Sequence, residues 1–221
     1  MEQKDPKSKK LNILLLLVRF PYPLIGGDRV KPYYMIKHLA KHHNVTVITF
    51  NRKELPPKEH VNALEDLGIE LIVLPYNPAK QFAFSMLKTP FRYPLEVTYF
   101  QNSRYRNAVE NTLKNKNFDL ILSFMIRTAE YVKKKPHKKV LIAEDSRILY
   151  HDRSYKNTSF IVQKLPRFWE YIKNLKYEPE IVKWFDTVTF VTENDIEKTR
   201  EVNPDIRYRL LTNGTDIDIF K

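Results

Sequence analysis

The residues best suited to binding an anion lie in a loop near the N-terminus. Gly26 and Gly27 stand side by side there, and Asp28 and Arg29 follow at the start of a predicted helix. Paired glycines let the backbone approach a ligand closely, and the first turn of a helix presents free N–H groups and a partial positive charge. Only 4 glycines occur in the chain. We therefore favour a site for an anion such as a diphosphate over a plain turn in which Asp28 caps the helix.

A second group of chemically useful residues follows two later strands. Glu144 and Asp145 come directly after a buried strand, and Arg147 is close behind them. Two carboxylates at the carboxyl end of a strand would hydrogen-bond sugar hydroxyls or act as a base. The alternative is that Asp145 or Ser146 only caps a following helix, and the sequence leaves the two readings even. Arg127 follows another buried strand, where it is either a phosphate contact or an ordinary surface residue.

Several kinds of chemistry are excluded or disfavoured. The chain has no cysteine, which rules out disulfides, thiolate zinc sites, iron–sulfur clusters and a thiol nucleophile. The glycine loop matches neither the dinucleotide-binding pattern nor the P-loop pattern, and no G-x-S-x-G elbow occurs. The histidines show no metal-ligand spacing. We predict no metal and no cofactor.

The elements that must position these residues alternate between strand and helix along the chain. Residues 11–18 form a near-continuous aliphatic run, which is typical of a parallel strand covered on both faces. Further strands are predicted at 45–50, 69–74, 118–124, 140–143, 187–192 and 206–212, and helices at 28–42, 59–67, 102–116, 127–134, 159–184 and 195–201. Gly68 is expected to end the second of these helices, and the stretch at 159–184 is expected to be interrupted near Pro166 and Pro179. Residues 76–100, rich in proline and aromatics, are predicted to be irregular or to form short helices. The pattern predicts an α/β, doubly wound, Rossmann-like parallel sheet of six or seven strands with helices on both faces.

The chain is strongly basic, with 38 Lys and Arg residues against 26 Asp and Glu, a net charge of +12. Residues 1–50 and residues 101–150 each contribute +6, so the rest is neutral. Nucleic acid, an anionic membrane or a phosphorylated substrate would explain the excess, and so would a solvated lysine-rich surface. Nucleic acid is the weakest of these because no zinc finger or RNP signature is present. The candidate membrane-facing residues are Lys37, Lys41, Lys133, Lys134, Lys135, Lys138 and Lys139.

Three segments resemble a known family. The stretch "RFPYPLIGGDRVKPYYMIKHLA" is similar to the loop and first helix of exopolysaccharide-associated sugar transferases, and the strand "NVTVITF" follows it in the same order. The stretches "FDTVTFVTENDIEKTR" and "LLTNGTDIDIF" resemble the last βα unit and the segment before the interdomain linker. Together they resemble the N-terminal lobe of GT-B glycosyltransferases, and more narrowly glycosyltransferase family four.

The resemblance implies a retaining transferase that moves a sugar from a nucleotide-sugar to a glycan acceptor, often a lipid-linked one. The N-terminal lobe of such enzymes mainly holds the acceptor, and Gly26 and Gly27 would lie against the donor diphosphate. The acceptor-side candidates are Tyr22, Asp28, Arg29, Arg127, Glu144, Asp145 and Arg147. The chain departs from the family because the E-x7-E motif of the C-terminal lobe is not in this sequence. It also has Ser123-Phe124-Met125 where many relatives carry a histidine, so the catalytic residues are not assigned.

The resulting expectation is one lobe of a two-lobed enzyme of cell-surface or exopolysaccharide synthesis. We expect a flexible basic tail at 1–10, the lobe at 11–214, and the start of an interdomain linker at 215–221, with the C-terminal donor-binding lobe missing. The enzyme would be cytoplasmic, and peripheral at the inner face of the cell membrane if it binds anionic lipid. The 221-residue chain alone is expected to be inactive. The alternatives are a non-catalytic half-transferase that works with a separate C-terminal partner and, ranked lower, a basic nucleic-acid-binding protein.

Overall fold

The computed structural model of this protein describes residues 9–88 and 93–214. The described strands are β1 (Asn12–Leu17), β2 (Asn44–Arg52), β3 (Glu70–Tyr76), β4 (Leu120–Phe124), β5 (Lys139–Glu144), β6 (Thr187–Phe190) and β7 (Tyr208–Leu210). The described helices are α1 (Gly27–Ala40), α2 (Lys58–Glu65), α3 (Pro78–Lys88), α4 (Leu95–Tyr99), α5 (Ser103–Asn115), α6 (Ile126–Ala129), α7 (Arg147–Lys156), α8 (Ile161–Val182) and α9 (Glu193–Val202). Most of the predicted tail at 1–10 and all of the predicted linker at 215–221 lie outside the described residues.

The strands form one parallel sheet in the order β3-β2-β1-β4-β5-β6-β7. Each neighbouring pair is parallel, including β1 with β2 and β1 with β4. The chain starts in the middle, adds β2 and β3 on one side, and then crosses back to build the other side. This arrangement confirms the predicted doubly wound, Rossmann-like α/β fold.

The central strand β1 explains why its sequence is aliphatic without alternation. All five residues from Ile13 to Leu17 are at most 1% exposed. Leu14 and Leu16 join the core on one face of the sheet. Ile13, Leu15 and Leu17 join the core on the other face. Helix α1 covers the second face with Ile36, while α5 and α8 cover the first face. Both faces are therefore dry, and each position of β1 is a core position.

The prolines do not interrupt the long helix, contrary to the sequence expectation. Helix α8 runs without a break from Ile161 to Val182, with Pro166 and Pro179 inside it. A proline removes one helical hydrogen bond, but Tyr177, Ile181 and Val182 around the second proline are buried in the core. In addition, the side-chain amide of Asn203 donates to the carbonyl oxygen of Pro179 at 3.0 Å. Tertiary packing therefore outweighs the local cost.

Two other helices differ from the sequence expectation. Helix α6 has only 4 residues and continues as turns, where a longer helix was expected at 127–134. Helix α7 was foreseen only as a helix that Asp145 or Ser146 would cap. Ser146 is the cap, because its side chain accepts a hydrogen bond from the Leu149 amide. The proline-rich segment contains α3 and α4, in line with the expectation of short helices.

Candidate functional site

The strand order reverses between β1 and β4, and their carboxyl ends open the crevice where doubly wound sheets bind ligands. The loop after β1 leads from Val18 to Gly26, which is the N-cap residue of α1. Gly26 has a φ of +89°, a conformation that residues with a side chain rarely adopt. Asp28 is not the cap, contrary to the alternative reading of the sequence; it lies in the first turn of α1.

The start of α1 has the properties of an anion site. The amides of Arg29 and Val30 donate to the Gly26 carbonyl oxygen, whereas those of Gly27 and Asp28 have no acceptor within the described residues. A Cβ atom added at Gly27 would meet no other atom within 4 Å, so this part of the loop faces open space. The carboxylate of Asp28 is paired with Arg19 at 2.6 Å, which offsets the charge that would repel an anion. The loop therefore offers unused amides and the positive end of a helix.

Two acceptor-side candidates, Tyr22 and Arg29, lie near this loop and differ in their contacts. The ring of Tyr22 lies 4.7 Å from the ring of His60 in α2 and 6.2 Å from that of Tyr33 in α1, measured between centroids. Tyr22 therefore packs the loop against both helices. The Nε atom of Arg29 is buried and has no hydrogen-bond partner among the described residues, so part of its guanidinium remains unused.

Glu144 is joined to α1 by an ion pair that the sequence did not reveal. The ammonium of Lys31 lies 2.6 Å from Glu144 Oε1, and both side chains are only 15% exposed. Burial raises the pKa of Glu144 despite this nearby cation. Lys31 also donates to the carbonyl oxygen of Leu211, just after β7. One lysine thus connects the helix of the glycine loop with the ends of β5 and β7. A lysine one turn into a helix gives no sequence signal of this kind.

Glu96 binds two of the candidate cations, and the sequence analysis missed it. Arg127 Nε donates to Glu96 Oε2 at 3.0 Å and Arg147 Nε donates to Oε1 at 2.5 Å, with His151 Nε2 3.8 Å away. Burial favours the neutral acid, but the nearby His151, the charges of both arginines and the Arg127 hydrogen bond outweigh it and lower the pKa to about 2. Arg127 and Arg147 are therefore fixed side by side at the ends of β4 and β5. Glu96 lies in the proline-rich segment, where periodicity gave no guidance.

Asp145 is exposed and lines a cavity of about 560 Å³ at the carboxyl ends of β5 and β6. The cavity is polar in character, with Arg153, Asn157, Arg167 and Asn194 also on its walls. Side chains of these types hydrogen-bond hydroxyl groups. Asp145 is thus free to contact a ligand, whereas its neighbour Ser146 serves as a helix cap.

Two buried carboxylates hold the first turn of α7, and with it Asp145 and Arg147. The Ser146 amide donates to Asp195 Oδ1 at 3.0 Å, and the Ile148 amide donates to Glu178 Oε2 at 2.7 Å. Glu178 is only 1% exposed, and burial raises its pKa to about 7 against the effect of the Ile148 and Ser146 hydrogen bonds. Carboxylates at a helix N-terminus satisfy its free amides.

The predicted membrane-facing lysines lie away from this site and do not form one group. Lys37 and Lys41 lie at the end of α1, toward the amino-terminal edge of the sheet, and are exposed, as are Lys134 and Lys138. Lys133 and Lys135 are paired with Glu130 and Glu110. Lys139 was wrongly included, because it is 8% exposed; its ammonium donates to the Lys135 carbonyl oxygen, and burial lowers its pKa.

Two further features are absent from the part of the chain that the structure describes. No group of three or more histidine, aspartate or glutamate side chains in this part of the chain is arranged to hold a metal ion. No described helix is long and apolar enough to cross a membrane. Ser123, at the position where relatives of the resembled family carry a histidine, is buried and hydrogen-bonded to the Thr128 hydroxyl.

Comparisons with known proteins identify the fold of this chain. No protein-family model and no curated protein sequence matches the chain. Among solved structures, apo UGT2 of Phytolacca americana is similar with a TM-score of 0.54 at 12% identity, covering 95% of this chain and 53% of that one. TcCGT1 in complex with UDP gives 0.55 at 10% identity, with coverages of 96% and 55%.

UGT89C1 of Arabidopsis thaliana, complexed with UDP, gives a TM-score of 0.50 at 14% identity and covers 94% of this chain and 50% of that one. The chain thus spans about half the length of each of these three structures. It has the Rossmann-like α/β fold of one domain of GT-B glycosyltransferases.

Proposed function

We propose that this chain is the acceptor-side lobe of a nucleotide-sugar glycosyltransferase. The observation that carries the proposal is the start of α1 at the point where the strand order reverses. The Gly27 and Asp28 amides have no acceptor within the described residues there, and open space lies beside Gly27. Such a site suits a diphosphate. Two of the similar structures hold UDP, which supports a nucleoside diphosphate as the ligand.

The acceptor would lie along the ends of β5 and β6. The cavity beside Asp145 presents carboxylate, amide and guanidinium groups, and these groups suit the hydroxyls of a glycan. Arg127 and Arg147 lie between this cavity and the glycine loop along the sheet edge. The departing diphosphate of a nucleotide-sugar needs stabilisation by positive charge and N–H donors, and this lobe would supply the amides of the loop and Arg29.

The finer parts of the proposal rest on the sequence segments quoted above. They support a family-four-like, retaining enzyme of exopolysaccharide or other cell-surface synthesis. A hexosyl group would be transferred, and the remaining electrostatic residues would lie in a C-terminal lobe. A lobe that works with a separate C-terminal partner is the second candidate. The chain spans about half of the structures it resembles.

The assay that tests this proposal measures nucleoside diphosphate release from a panel of nucleotide-sugars. The 221-residue chain alone is expected to release none above the blank, because the loop amides and Arg29 alone would not stabilise the leaving group enough. A protein translated from the gene with any downstream frame, or the chain mixed with its C-terminal partner, is expected to release it. Nucleotide release by the chain alone would contradict the half-enzyme proposal.

A matched pair of variants connects that activity to the glycine loop. In the complete enzyme, Gly27→Val places a side chain in the open space beside the Gly27 and Asp28 amides. The side chain would keep a diphosphate from reaching these donors, and we expect the release rate to fall about tenfold or more. Asn115→Val places the same side chain on an exposed position at the end of α5 and is expected to leave the rate unchanged. Equal release rates in both variants would show that the glycine loop is not part of the site.

The acceptor is proposed to be lipid-linked because exposed apolar side chains gather beside the carboxyl edge. Helices α3 and α8 both adjoin α4: residues of α3 contact α4, and the Leu95 amide donates to Glu170 of α8 at 2.8 Å. The exposed apolar residues of these two helices include Phe82, Leu87, Ile161, Val162, Leu165 and Trp169, and exposed Phe160 directly precedes α8. Apolar surface of this size, next to lysines, suits the interface of an anionic membrane.

Sedimentation with vesicles tests this surface. The double variant Ile161→Ser/Leu165→Ser is expected to lose most of the pelleting that the chain shows with phosphatidylglycerol vesicles at low salt. The control Leu55→Ser/Val202→Ser removes exposed apolar groups elsewhere and is expected to pellet like the unaltered chain. Equal pelleting with neutral vesicles would reject an anionic membrane as the partner.

A further inference from the structure

A large cavity lies on the flank of the sheet, away from the glycine loop. Its volume is about 870 Å³, and its walls come from α5, the turns after α6, and the last turns of α8. The end of α8 leads to the first residue of β6, at the amino-terminal edge of the sheet. The cavity is therefore separate from the crevice at the carboxyl edge, and none of the roles described above uses it as a binding site.

The floor of the cavity is a satisfied polar cluster. Tyr131 and Tyr177 are buried, and the Tyr177 hydroxyl donates to Glu130 Oε1 at 3.0 Å. The ammonium of Lys133 lies 2.8 Å from the other oxygen of Glu130. The one buried carboxylate of the cavity therefore already has its counter-charge.

The cationic groups around the rim outnumber their partners. Two further carboxylates line the cavity, and each already has a cation: Glu110 is 3.8 Å from Lys135, and Glu180 is 2.8 Å from Lys183. Three lining cations remain, and none has a carboxylate within 4.0 Å in the part of the chain that the structure describes. They are Arg106, Lys134 and Lys176.

Aromatic rings hold one of these cations and supply an apolar wall. The guanidinium of Arg106 lies over the ring of Tyr131, with its central carbon 5.4 Å from the ring centroid. This stacking fixes the plane of the group and leaves its N–H donors available for a planar or tetrahedral anion. Trp184, half-exposed, also lines the cavity and offers a flat surface to a ring of the ligand.

We propose that this cavity binds the phosphate or diphosphate group of a second ligand, with Arg106, Lys134 and Lys176 as its partners. Three uncompensated positive charges in one concavity repel one another, and a multivalent anion relieves that repulsion. The chemistry is shared by a soluble phosphorylated molecule and a phospholipid headgroup. The site goes beyond glycosyl transfer, and it does not depend on the glycine loop.

The fluorescence of Trp184 reports on this cavity directly. The chain has 2 tryptophans, so the variant Trp169→Phe leaves Trp184 as the only one. Titration of this variant with pyrophosphate at constant ionic strength is expected to give a saturable change in emission. A change that merely follows ionic strength, as sodium chloride would produce, contradicts a specific site.

Charge-matched variants separate the cavity from general surface charge. Arg106→Gln/Lys134→Gln/Lys176→Gln is expected to weaken pyrophosphate binding about a hundredfold or more, since three charge-assisted hydrogen bonds to the anion are lost together. Lys37→Gln/Lys41→Gln/Arg207→Gln removes the same charges from exposed positions elsewhere and is expected to change the affinity less than about twofold. Equal losses in the two variants would overturn the proposal.

Vesicles distinguish the two sources of phosphate. Pyrophosphate binding that depends on the cavity cations supports a soluble ligand. Binding to phosphatidylglycerol vesicles that requires the same cations, without pyrophosphate binding, supports a headgroup. If the cavity variant and the control behave alike with both probes, no phosphate site exists there.

Discussion

Replacing Glu96 by glutamine is expected to lower the free energy of unfolding at pH 7 by about 3–5 kcal/mol, the usual cost of breaking a buried ion pair. The change leaves Arg127 and Arg147, both largely buried, without a counter-charge. Urea denaturation of both proteins measures the difference. Glu59→Gln serves as the control, because that side chain is 81% exposed and its replacement is expected to matter by less than about 0.5 kcal/mol.

The pH dependence gives a second check on Glu96. Its pKa in the folded state is about 2 against a normal value of 4.5, so ionisation of Glu96 stabilises the fold fully above pH 4.5. That stabilisation is lost as the pH falls from 4.5 toward 2, because the unfolded chain takes up the proton first. The advantage of the unaltered protein over Glu96→Gln should have shrunk by roughly 1 kcal/mol at pH 3.5. An advantage that does not change with pH would show that the arginines do not lower the pKa of Glu96 in the folded state.

Glu178→Gln is expected to have the opposite pH dependence. The pKa of Glu178 is about 7 in the folded state, above its normal value, so the folded protein retains the proton that the unfolded chain gives up. The stabilisation is complete below pH 4.5 and is lost as the pH rises through 7. Glutamine stays neutral, and its amide oxygen can still accept the Ile148 amide. The variant should therefore gain up to about 3 kcal/mol relative to the unaltered protein between pH 4.5 and pH 8.5.

Thermal or urea unfolding of the two proteins at several pH values measures this difference. Glu180→Gln is the control on the same helix, since that side chain is 70% exposed and its replacement is expected to change the free energy of unfolding by less than about 0.5 kcal/mol at each pH. A difference between Glu178→Gln and the unaltered protein that stays constant with pH would mean that Glu178 is ionised in the folded state at neutral pH.

The strands and most helices were predictable because their buried positions are apolar. Apolar residues therefore recur with the helical period in helices and form continuous runs in buried strands. The aliphatic run of β1 could only be a strand covered on both faces, and Gly68, with its φ of +76°, correctly marked the end of α2. The continuity of α8 was not predictable. Proline penalties are local, and the packing of Tyr177 and Ile181 that overcomes them becomes visible only once the sheet is formed.

That the candidate residues lie at one edge of the sheet could be predicted, but their partners could not. Residues that follow the strands meet at this edge, since the carboxyl ends of parallel strands share it. The partners that fix those residues come from distant segments: Lys31 reaches Glu144, and Glu96 reaches two arginines. No spacing rule relates residues that are brought together only by the tertiary fold.

The contacts of Lys31 affect which segments of the domain are expected to unfold together. It bonds to Glu144 and to the carbonyl oxygen of Leu211, 180 residues away in the sequence. The Leu211 amide in turn donates to Phe190 in β6. The first turn of the domain's first helix and the segment that follows its last strand are therefore one cooperative unit. Local unfolding of either one releases the other, so amide protection against solvent exchange should be lost from both at the same rate.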